Sequence, residues 1–486
     1  MRFVLASLIT LLTFSLVGCG ELFGKKKSNS STPPALTMIE KSDVTSYLTK
    51  SRNDEATTVM VIDNNFDYEH EVFKDKIVAA YTIVCEEDST SMNSDEFYRE
   101  FKKIPFEVLK TTLIEDYKNS DQSCRIEQGI KFRYIKEDFD AIASFRDDWN
   151  DFMLGRSNSM SQNTLTLTTT TLDRLEPGYH GTNTAGLIAR DNDKVNLVLV
   201  HMDLDSSEGA IEDKLDCKTA DIISTLNKLL ADEEVKQAAI DQPPSSEEQG
   251  LNQIIDQHNV RIVNKSFGPL TSSTLDSFFE KKGCGDSIMS TNFRLNGQID
   301  SKREAKLRMD LPEDSRAKTV LTLESSGNEG EEINSYSDSL KCPDSTDKNT
   351  ILVGSSNYSY YSSNNRSFFS NHGKCVKYHV LGHEVKVPTG LGFYNVVSGT
   401  SFSAPLLARY ITLNIDGNSS NEEMIAFLDS KADKDGFIER DEDMTELSWN
   451  HRVQTDRPII ATSQRASNLL NIKRINKFAK MPNLGR

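Results

Sequence analysis

Residues 398–408 read SGTSFSAPLLA, so small and polar residues give way to an apolar run directly after Ser401. The pattern predicts an apolar helix with Ser401 at its start. A hydroxyl in that place is suited to attack a carbonyl group, because the helix N-terminus favours negative charge and its backbone N–H groups can donate to an oxyanion. Ser401 could instead be a simple N-cap residue. The stretch therefore marks Ser401 as a candidate nucleophile that needs partners elsewhere in the chain.

An acidic residue follows a predicted strand much earlier in the chain. Residues 57–70 read TTVMVIDNNFDYEH, and the apolar, β-branched part of this run ends at Asp63. The composition predicts a buried strand with the acid at its C-terminal end. Active sites form at that end of the strands in open parallel sheets. Taken alone, Asp63 could also be an ordinary turn or capping residue.

A histidine begins another predicted helix. Residues 180–189 read HGTNTAGLIA, in which Ala185 and Gly186 would allow close packing. The imidazole of His180 would then lie at the N-terminal end of the helix, near the cleft. A lone histidine can be structural or surface-exposed, yet a histidine fixed in this frame of small residues is hard to explain as filler.

Two further strand-like pieces end in small residues that could line a substrate groove. They are residues 260–268, VRIVNKSFG, and residues 320–330, VLTLESSGNEG. Asn328 lies between glycines in the second piece and could direct its amide N–H groups at a developing oxyanion. The alternative is that Asn328 serves a glycine-rich turn.

Together these blocks resemble the subtilisin-like serine proteases, the subtilases, whose catalytic residues follow the order Asp, His, Ser. The order here is Asp63, His180, Ser401. The matches to the family's motifs are the acid motif at Asp63, Asp67 and His70, the HGT-x-x-AG motif from His180, the strand motif at 264–268, the oxyanion motif at 325–328, and GTS-x-x-AP at 399–405. Five matches in the family's order are far more specific than any single motif.

The resemblance implies an α/β fold, with a mainly parallel central sheet between helices on both faces. It implies that Ser401 is the nucleophile, His180 the general base and then acid, and Asp63 the carboxylate that orients the imidazole. Asn328 and the Ser401 N–H would form the oxyanion hole. The residues that would flank the substrate and pair with it as an added strand are Ser266, Phe267, Gly268, Ser325, Ser326 and Gly327.

One departure from the family concerns the turn after the acid. Asn64 and Asn65 stand where subtilases usually have Ser or Thr followed by Gly. Asparagine tolerates positive φ better than most residues. Asn65 is therefore expected to make the turn in place of glycine.

The N-terminus has the pattern of an export signal. Arg2 precedes an apolar run that is too short to span a bilayer, and the run ends in LVGC at residues 16–19. This resembles the lipobox of bacterial lipoproteins, with residues 1–18 removed, a lipid on Cys19 and a tether over 19–36; an ordinary cleaved signal is the alternative. Gly20 stands where an aspartate would indicate retention in the inner membrane of Gram-negative bacteria, which favours an exported lipoprotein at the outer membrane.

Composition limits the classes of partner. The chain has 486 residues, with 56 basic and 73 acidic side chains and a net charge of −17. This balance argues against nucleic acid as a partner and fits a soluble globular body. Apart from Cys19, six cysteines remain, which in an exported protein permit three disulfides in 15 pairings that sequence leaves open.

The peptidase domain is predicted to span 37–413, with insertions near 85–171, 206–250 and 270–316 that either shape substrate access or only lengthen loops. A C-terminal extension follows over 414–486. Within it, residues 431–442 resemble an EF-hand loop, but Lys431 stands where calcium needs an oxygen ligand. Structural calcium and a solvated acidic turn therefore both stay open, and catalysis is expected to require no cofactor.

The sequence thus predicts a lipid-anchored serine endopeptidase that cleaves proteins or peptides through an acyl-enzyme. An α/β-hydrolase esterase is disfavoured, because residues 399–403 lack the second glycine of G-x-S-x-G and the order of the triad differs. The alternative of another class is a catalytically silent subtilase-fold lipoprotein that acts as a binding or scaffold module.

Overall fold

The computed structural model describes residues 53, 55–85, 94–119, 124–129, 139–157, 179–202, 216–267, 271–343, 347–359 and 362–432. The predicted signal, the tether, the lipidation site at Cys19, Gly268 and most of the EF-hand-like loop lie outside these residues.

The described residues form eleven strands and eleven α-helices. The strands are β1 (Thr57–Asp63), β2 (Ile77–Cys85), β3 (Cys124–Gln128), β4 (Val195–Met202), β5 (Ile262–Lys265), β6 (Leu321–Ser325), β7 (Thr350–Ser359), β8 (Ser362–Arg366), β9 (Val376–Leu381), β10 (Val385–Thr389) and β11 (Phe393–Val397). The helices are α1 (Ser94–Phe101), α2 (Phe106–Lys118), α3 (Phe139–Met153), α4 (His180–Ala189), α5 (Cys217–Leu230), α6 (Glu233–Ile240), α7 (Ser246–Gln257), α8 (Ser272–Lys281), α9 (Ile288–Asp310), α10 (Thr400–Asn414) and α11 (Asn421–Lys431).

A mainly parallel sheet forms the centre of the molecule. Its strand order is β3-β2-β4-β1-β5-β6-β7-β8, and β9 also pairs with β7. The pairs that β1 makes with β4 and β5 are parallel, as are those of β6 with β5 and β7. Only β3 and β8 join the sheet antiparallel, and β10 and β11 form a separate hairpin. The predicted α/β class with a mainly parallel sheet is confirmed.

The two faces of β1 show why residues 59–62 in the middle of the strand are all apolar. All seven residues of the strand are buried. Val59 and Val61 pack in one hydrophobic cluster with residues of α4 and α10, whereas Met60 and Ile62 pack in another cluster with residues of α7. The sequence of a strand that is covered by helices on both faces is typically a continuous hydrophobic run. Because β1 is central, Asp63 emerges at the carboxyl edge of the sheet between neighbours on both sides.

Three disulfides resolve the pairing that the sequence left open. The bonds join Cys85 to Cys124, Cys217 to Cys284, and Cys342 to Cys375. The first lies at the edge of the sheet, where β3 pairs with β2, and the second links the start of α5 to the segment after α8. The disulfide prediction is confirmed, with each bond closing a different part of the chain.

The segments predicted as insertions contain helices that pack mainly on one another. A cluster of buried apolar side chains joins α1, α2, α5, α6 and α9, including Phe101, Leu113 and Leu229. The helix α5 lies within the predicted insertion at 206–250, with Asp216 as its N-cap. An effect of these segments on substrate access stays a prediction, as do the domain boundaries.

The last described helix belongs to the main body. Met424 and Leu428 of α11 are buried in the same cluster as β1 and α10, and the Phe427 ring lies 5.5 Å from that of Tyr410. No helix in the described part of the chain is both long and apolar enough to cross a membrane.

Candidate active site

Asp63 and His180 form a hydrogen-bonded pair. His180 Nδ1 lies 2.8 Å from Asp63 Oδ1 and 3.0 Å from Oδ2. The carboxylate is fully buried and also accepts hydrogen bonds from the Asn64 N–H at 2.8 Å and from Thr184 Oγ1 at 2.9 Å. These donors fix the orientation of the carboxylate. A neutral imidazole that donates Nδ1–H to it carries its acceptor lone pair on Nε2.

The start of α4 is attached to the loop that follows Asp63. The Gly181 N–H donates to the Asn64 carbonyl oxygen at 2.8 Å, and a Cβ at Gly181 would come within 2.2 Å of that oxygen. Only glycine permits so close an approach. Asn65 has the positive φ expected of it, +33°, and its N–H donates to His201 Nδ1 at 3.1 Å. This arrangement places His180 directly against the carboxylate.

Ser401 lies in the first turn of α10. The N-cap of this helix is Gly399, which excludes the alternative that Ser401 is only an N-cap residue. Gly399 is itself held by a hydrogen bond from its N–H to the Gly382 carbonyl oxygen at 2.8 Å. The ring of Phe402, the next residue after Ser401, lies 5.7 Å from the His180 ring. The half-buried Ser401 is therefore at the same edge of the sheet as the Asp63–His180 pair.

The Asn328 amide is oriented by the residue that precedes Ser401. Asn328 Oδ1 accepts from the Thr400 N–H at 2.8 Å and from Thr400 Oγ1 at 3.0 Å. Its Nδ2 lies 3.7 Å from the position a Cβ on Gly399 would take. Because the carbonyl oxygen is engaged with Thr400, the exposed amide presents its N–H donors next to the start of α10. An oxyanion hole requires a donor in such a place, beside the N-terminal turn that bears Ser401.

Two segments at the ends of β5 and β6 lie side by side. The strands pair in parallel, and Ser266 and Phe267 follow β5 as Ser326 and Gly327 follow β6. Asn371 fixes the second segment, because its Nδ2 donates to the Ser326 carbonyl oxygen at 2.9 Å and its N–H to that of Gly327 at 3.1 Å. These segments are the two cleft walls, 266–267 and 325–327. The binding of an extended peptide by these segments stays a prediction.

The chain is similar to one protein-family model and to several solved structures. No curated protein is detectably similar to the chain in sequence. Similar solved structures include a cold-adapted subtilisin-like serine proteinase (17% identity, TM-score 0.32, covering 80% of this chain and 88% of that chain) and the prenylagaramide maturation protease PagA (14% identity, TM-score 0.32, covering 81% and 95%). The sequence model of the subtilase family matches residues 54–453, well over half of the chain.

The chain belongs to the subtilase family. As a member of this peptidase family, the chain is a serine-type peptidase, and its substrates are peptides or proteins. Among the residues described, no three or more His, Cys, Asp or Glu side chains are grouped so that they could hold a metal ion. The EF-hand-like loop lies mostly outside that part of the chain, so calcium binding there stays a prediction.

The other two residues of the acid motif, Asp67 and His70, connect this subtilase's Asp63 loop to the β10–β11 hairpin. Asp67 Oδ2 accepts from the Gly392 N–H at 3.0 Å, and burial raises its pKa to about 6. His70 Nε2 donates to the Phe393 carbonyl oxygen at 3.1 Å, while Nδ1 accepts from the Val72 N–H at 3.2 Å. The hairpin leads into the segment that carries Ser401, so both residues join the Asp63 loop to that segment.

Burial of neutral His70 predicts a loss of stability in acid. Burial lowers the pKa of His70 from 6.5 to about 4, so the unfolded chain binds a proton at higher pH than the folded protein does. Neutral His70 therefore makes its full contribution to the free energy of unfolding above pH 6.5. This contribution decreases as the pH drops toward 4, by about 3 kcal/mol in total. Asp67 has the opposite effect on the pH dependence of the unfolding free energy, because a carboxyl group with a raised pKa increases stability as the pH falls below 6.

The test compares urea unfolding of the wild type and His70→Asn between pH 7 and pH 4. Asparagine can still cap the short turn at Val72 but takes up no proton in this range. We expect a shallower fall of the unfolding free energy with decreasing pH in the variant. Asp67 is common to both proteins, so its effect cancels in the difference. If the unfolding free energy fell equally steeply with decreasing pH in both proteins, the burial of a neutral imidazole at this position would be contradicted.

Sequence reasoning missed several residues that hold this site together: Thr184, His201, Asn371 and Thr400. Thr184 could have been found, since it stands four residues after His180 and so shares its helix face. Thr400 lies within the GTS motif. His201 and Asn371 belong to no local pattern and reach the site only through the pairing of distant strands.

Proposed function

We propose that this subtilase is a serine endopeptidase with the triad Asp63, His180 and Ser401. The observation that carries the proposal is the buried Asp63 carboxylate, which accepts from His180 Nδ1 at 2.8 Å beside the helix turn that bears Ser401. The pair sets the imidazole tautomer that a general base needs, with its acceptor on Nε2.

The reaction follows from these roles. Ser401 Oγ attacks the scissile carbonyl carbon as its proton passes to His180 Nε2, and Asp63 stabilises the imidazolium that forms. The tetrahedral oxyanion accepts hydrogen bonds from Asn328 Nδ2 and the Ser401 N–H. The same imidazolium proton then goes to the leaving amine, which leaves an acyl group on Ser401. Water, deprotonated by His180, hydrolyses this acyl-enzyme in a second round.

Peptide binding in the proposal uses both cleft walls. An extended substrate lies between 266–268 and 325–327 and pairs with their backbone groups, as an added strand would. A cleft of this kind accepts a chain that continues past both sides of the scissile bond, which is why we propose endopeptidase activity. The protein groups supply all the proton transfers, so no cofactor takes part in catalysis in this proposal.

The site of action is proposed from the N-terminal sequence. The LVGC pattern at 16–19 supports removal of residues 1–18 and lipid attachment to Cys19. The polar segment that follows would hold the peptidase body away from the bilayer. We therefore assign the enzyme to exported bacterial lipoproteins of the outer membrane, where its substrates would be proteins of the periplasm or the cell exterior.

A fluorophosphonate probe, which reacts with activated serine hydroxyls, tests the triad on the full chain. We expect the wild type to be labelled, Ser401→Ala to remain unlabelled, and His180→Ala to be labelled orders of magnitude more slowly, because no base then takes up the hydroxyl proton. Ser430→Ala removes an exposed hydroxyl on α11 and should be labelled like the wild type. A folded wild type that stays unlabelled would instead favour the silent binding module.

A further inference from the structure

Three charged residues lie directly behind the two cleft walls. Lys265 is the last residue of β5 and precedes the first wall, and Glu324 lies in β6 immediately before the second. The two are partners in the register of the parallel pair. Lys341 reaches them from a separate part of the chain, after β6. We call Lys265, Glu324 and Lys341 the wall cluster.

Ion pairs join the members of the wall cluster. Glu324 Oε1 lies 3.4 Å from Lys265 Nζ, and Glu324 Oε2 lies 3.6 Å from Lys341 Nζ. Burial by itself would raise the pKa of Glu324, but the ammonium groups of Lys341 and Lys265 outweigh it and hold that pKa below its usual value. The carboxylate is thus charged at neutral pH. Because the Lys341 and Glu324 side chains are only 13% and 12% exposed, solvent and salt screen their attraction less than at the surface.

Lys341 also contacts the first wall itself. Its ammonium group donates a hydrogen bond to the Phe267 carbonyl oxygen and lies 5.5 Å from the centre of the Phe267 ring. Phe267 belongs to the segment that is proposed to pair with substrate. One ammonium group therefore bonds to the backbone of the first wall and to the carboxylate that precedes the second.

The backbone on both sides of Lys341 is fixed. The next residue, Cys342, is disulfide-bonded to Cys375 just before β9, and both half-cystines are buried with Ile333 and Val376. The Lys341 N–H donates to Ser339 Oγ at 3.3 Å. The disulfide thereby joins the backbone next to Lys341 to the segment just before β9 of the central sheet.

We propose that Lys341 is a positioning residue that sets the spacing of the two cleft walls, and that the Cys342–Cys375 disulfide holds it in place. The inference rests on the proposed function of these walls in binding substrate. Lys341 does not touch the reacting atoms. Its effect is therefore confined to the binding of substrates long enough to pair with both walls.

The test is Lys341→Met, which keeps an unbranched side chain as far as Cε and removes the ammonium group with its charge and its donors. We expect KM for an extended peptide substrate to rise about tenfold, the usual effect of losing one charge-assisted hydrogen bond, with kcat within about twofold of the wild type. The KM for a single-residue ester should not change, because that substrate does not span the walls. Lys374→Met removes an exposed lysine next to Cys375 and should leave both constants unchanged.

The outcomes separate this inference from the proposed function. If the wild type is not labelled by fluorophosphonate, the triad is wrong, whatever Lys341 does. If Lys341→Met is labelled at the wild-type rate but its KM for the extended peptide is unchanged, or rises equally for the ester, the positioning role is wrong. If Lys341→Met fails to fold, Glu324→Gln takes its place, because it breaks the same link between the walls. The KM of this variant for the extended peptide must then rise while its KM for the single-residue ester stays the same.

Discussion

Replacing Asp63 by asparagine is expected to lower kcat by about four orders of magnitude while the protein stays folded. The carboxylate accepts hydrogen bonds from His180 Nδ1, the Asn64 N–H and Thr184 Oγ1. An amide can turn only one oxygen toward these three donors, and its NH₂ group would favour the imidazole tautomer with the lone pair on Nδ1. Nε2 would then carry a proton and could not accept one from Ser401.

The measurement is the rate of fluorophosphonate labelling, together with hydrolysis of casein as a general protein substrate. Asp191→Asn is the matched control, because Asp191 is 81% exposed and has a φ of +49° that asparagine tolerates well. It should retain wild-type rates. A folded Asp63→Asn protein that keeps more than about a tenth of the wild-type rate would refute the role of Asp63 as the carboxylate of a triad.

Replacing Asn328 by alanine is expected to lower kcat by about 10²–10³, the size known for one oxyanion-hole donor in a subtilisin, with little change in KM. The reason is that the oxyanion develops only as the tetrahedral intermediate forms and is absent from the bound substrate, so a donor aimed at it adds little to substrate binding. Asn328→Asp separates this role from a structural one. Aspartate keeps an oxygen that can accept from Thr400 but loses the amide donor.

We therefore expect both Asn328 variants to lose kcat to a similar extent. Asn418→Ala, at an exposed position between α10 and α11, is the control and should behave as the wild type. If Asn328→Asp retained full activity while Asn328→Ala lost it, the side chain would serve only to hold Thr400, as a turn residue would. The oxyanion role would then be wrong.

The centre of the fold could be predicted from the sequence because its signals are local. The unbroken apolar run before Asp63 is what a strand buried on both faces requires, and HGTNTAGLIA predicted a helix that starts at His180, as observed. The positive φ at Asn65 followed from the tolerance of asparagine for that conformation. Each of these expectations depends on a few neighbouring residues and on the preferences of residue types for particular backbone conformations. Tertiary contacts in this structure reinforce those preferences.

The contacts that join distant segments could not be predicted in this way. Asn371 donates a hydrogen bond to the carbonyl oxygen of Ser326, which lies 45 residues away in the sequence. Lys341 donates one to the carbonyl oxygen of Phe267, which lies 74 residues away. Nothing in the neighbourhood of either residue indicates its partner. The disulfides were undetermined for the same physical reason, since which half-cystines meet depends on how the sheet brings segments together and not on their spacing.

The order of strands in the sheet has a consequence for when the enzyme can act. The strand that carries Asp63 pairs with β4 and β5, both of which are made much later, and the turn with Ser401 comes after every strand in the described part of the chain. Such high contact order delays assembly until nearly the whole polypeptide has been synthesised. In the proposed enzyme, Ser401 is consequently synthesised after Asp63 and His180 and after the strands that position them. We therefore expect no complete triad to form before residues up to Ser401 have been synthesised.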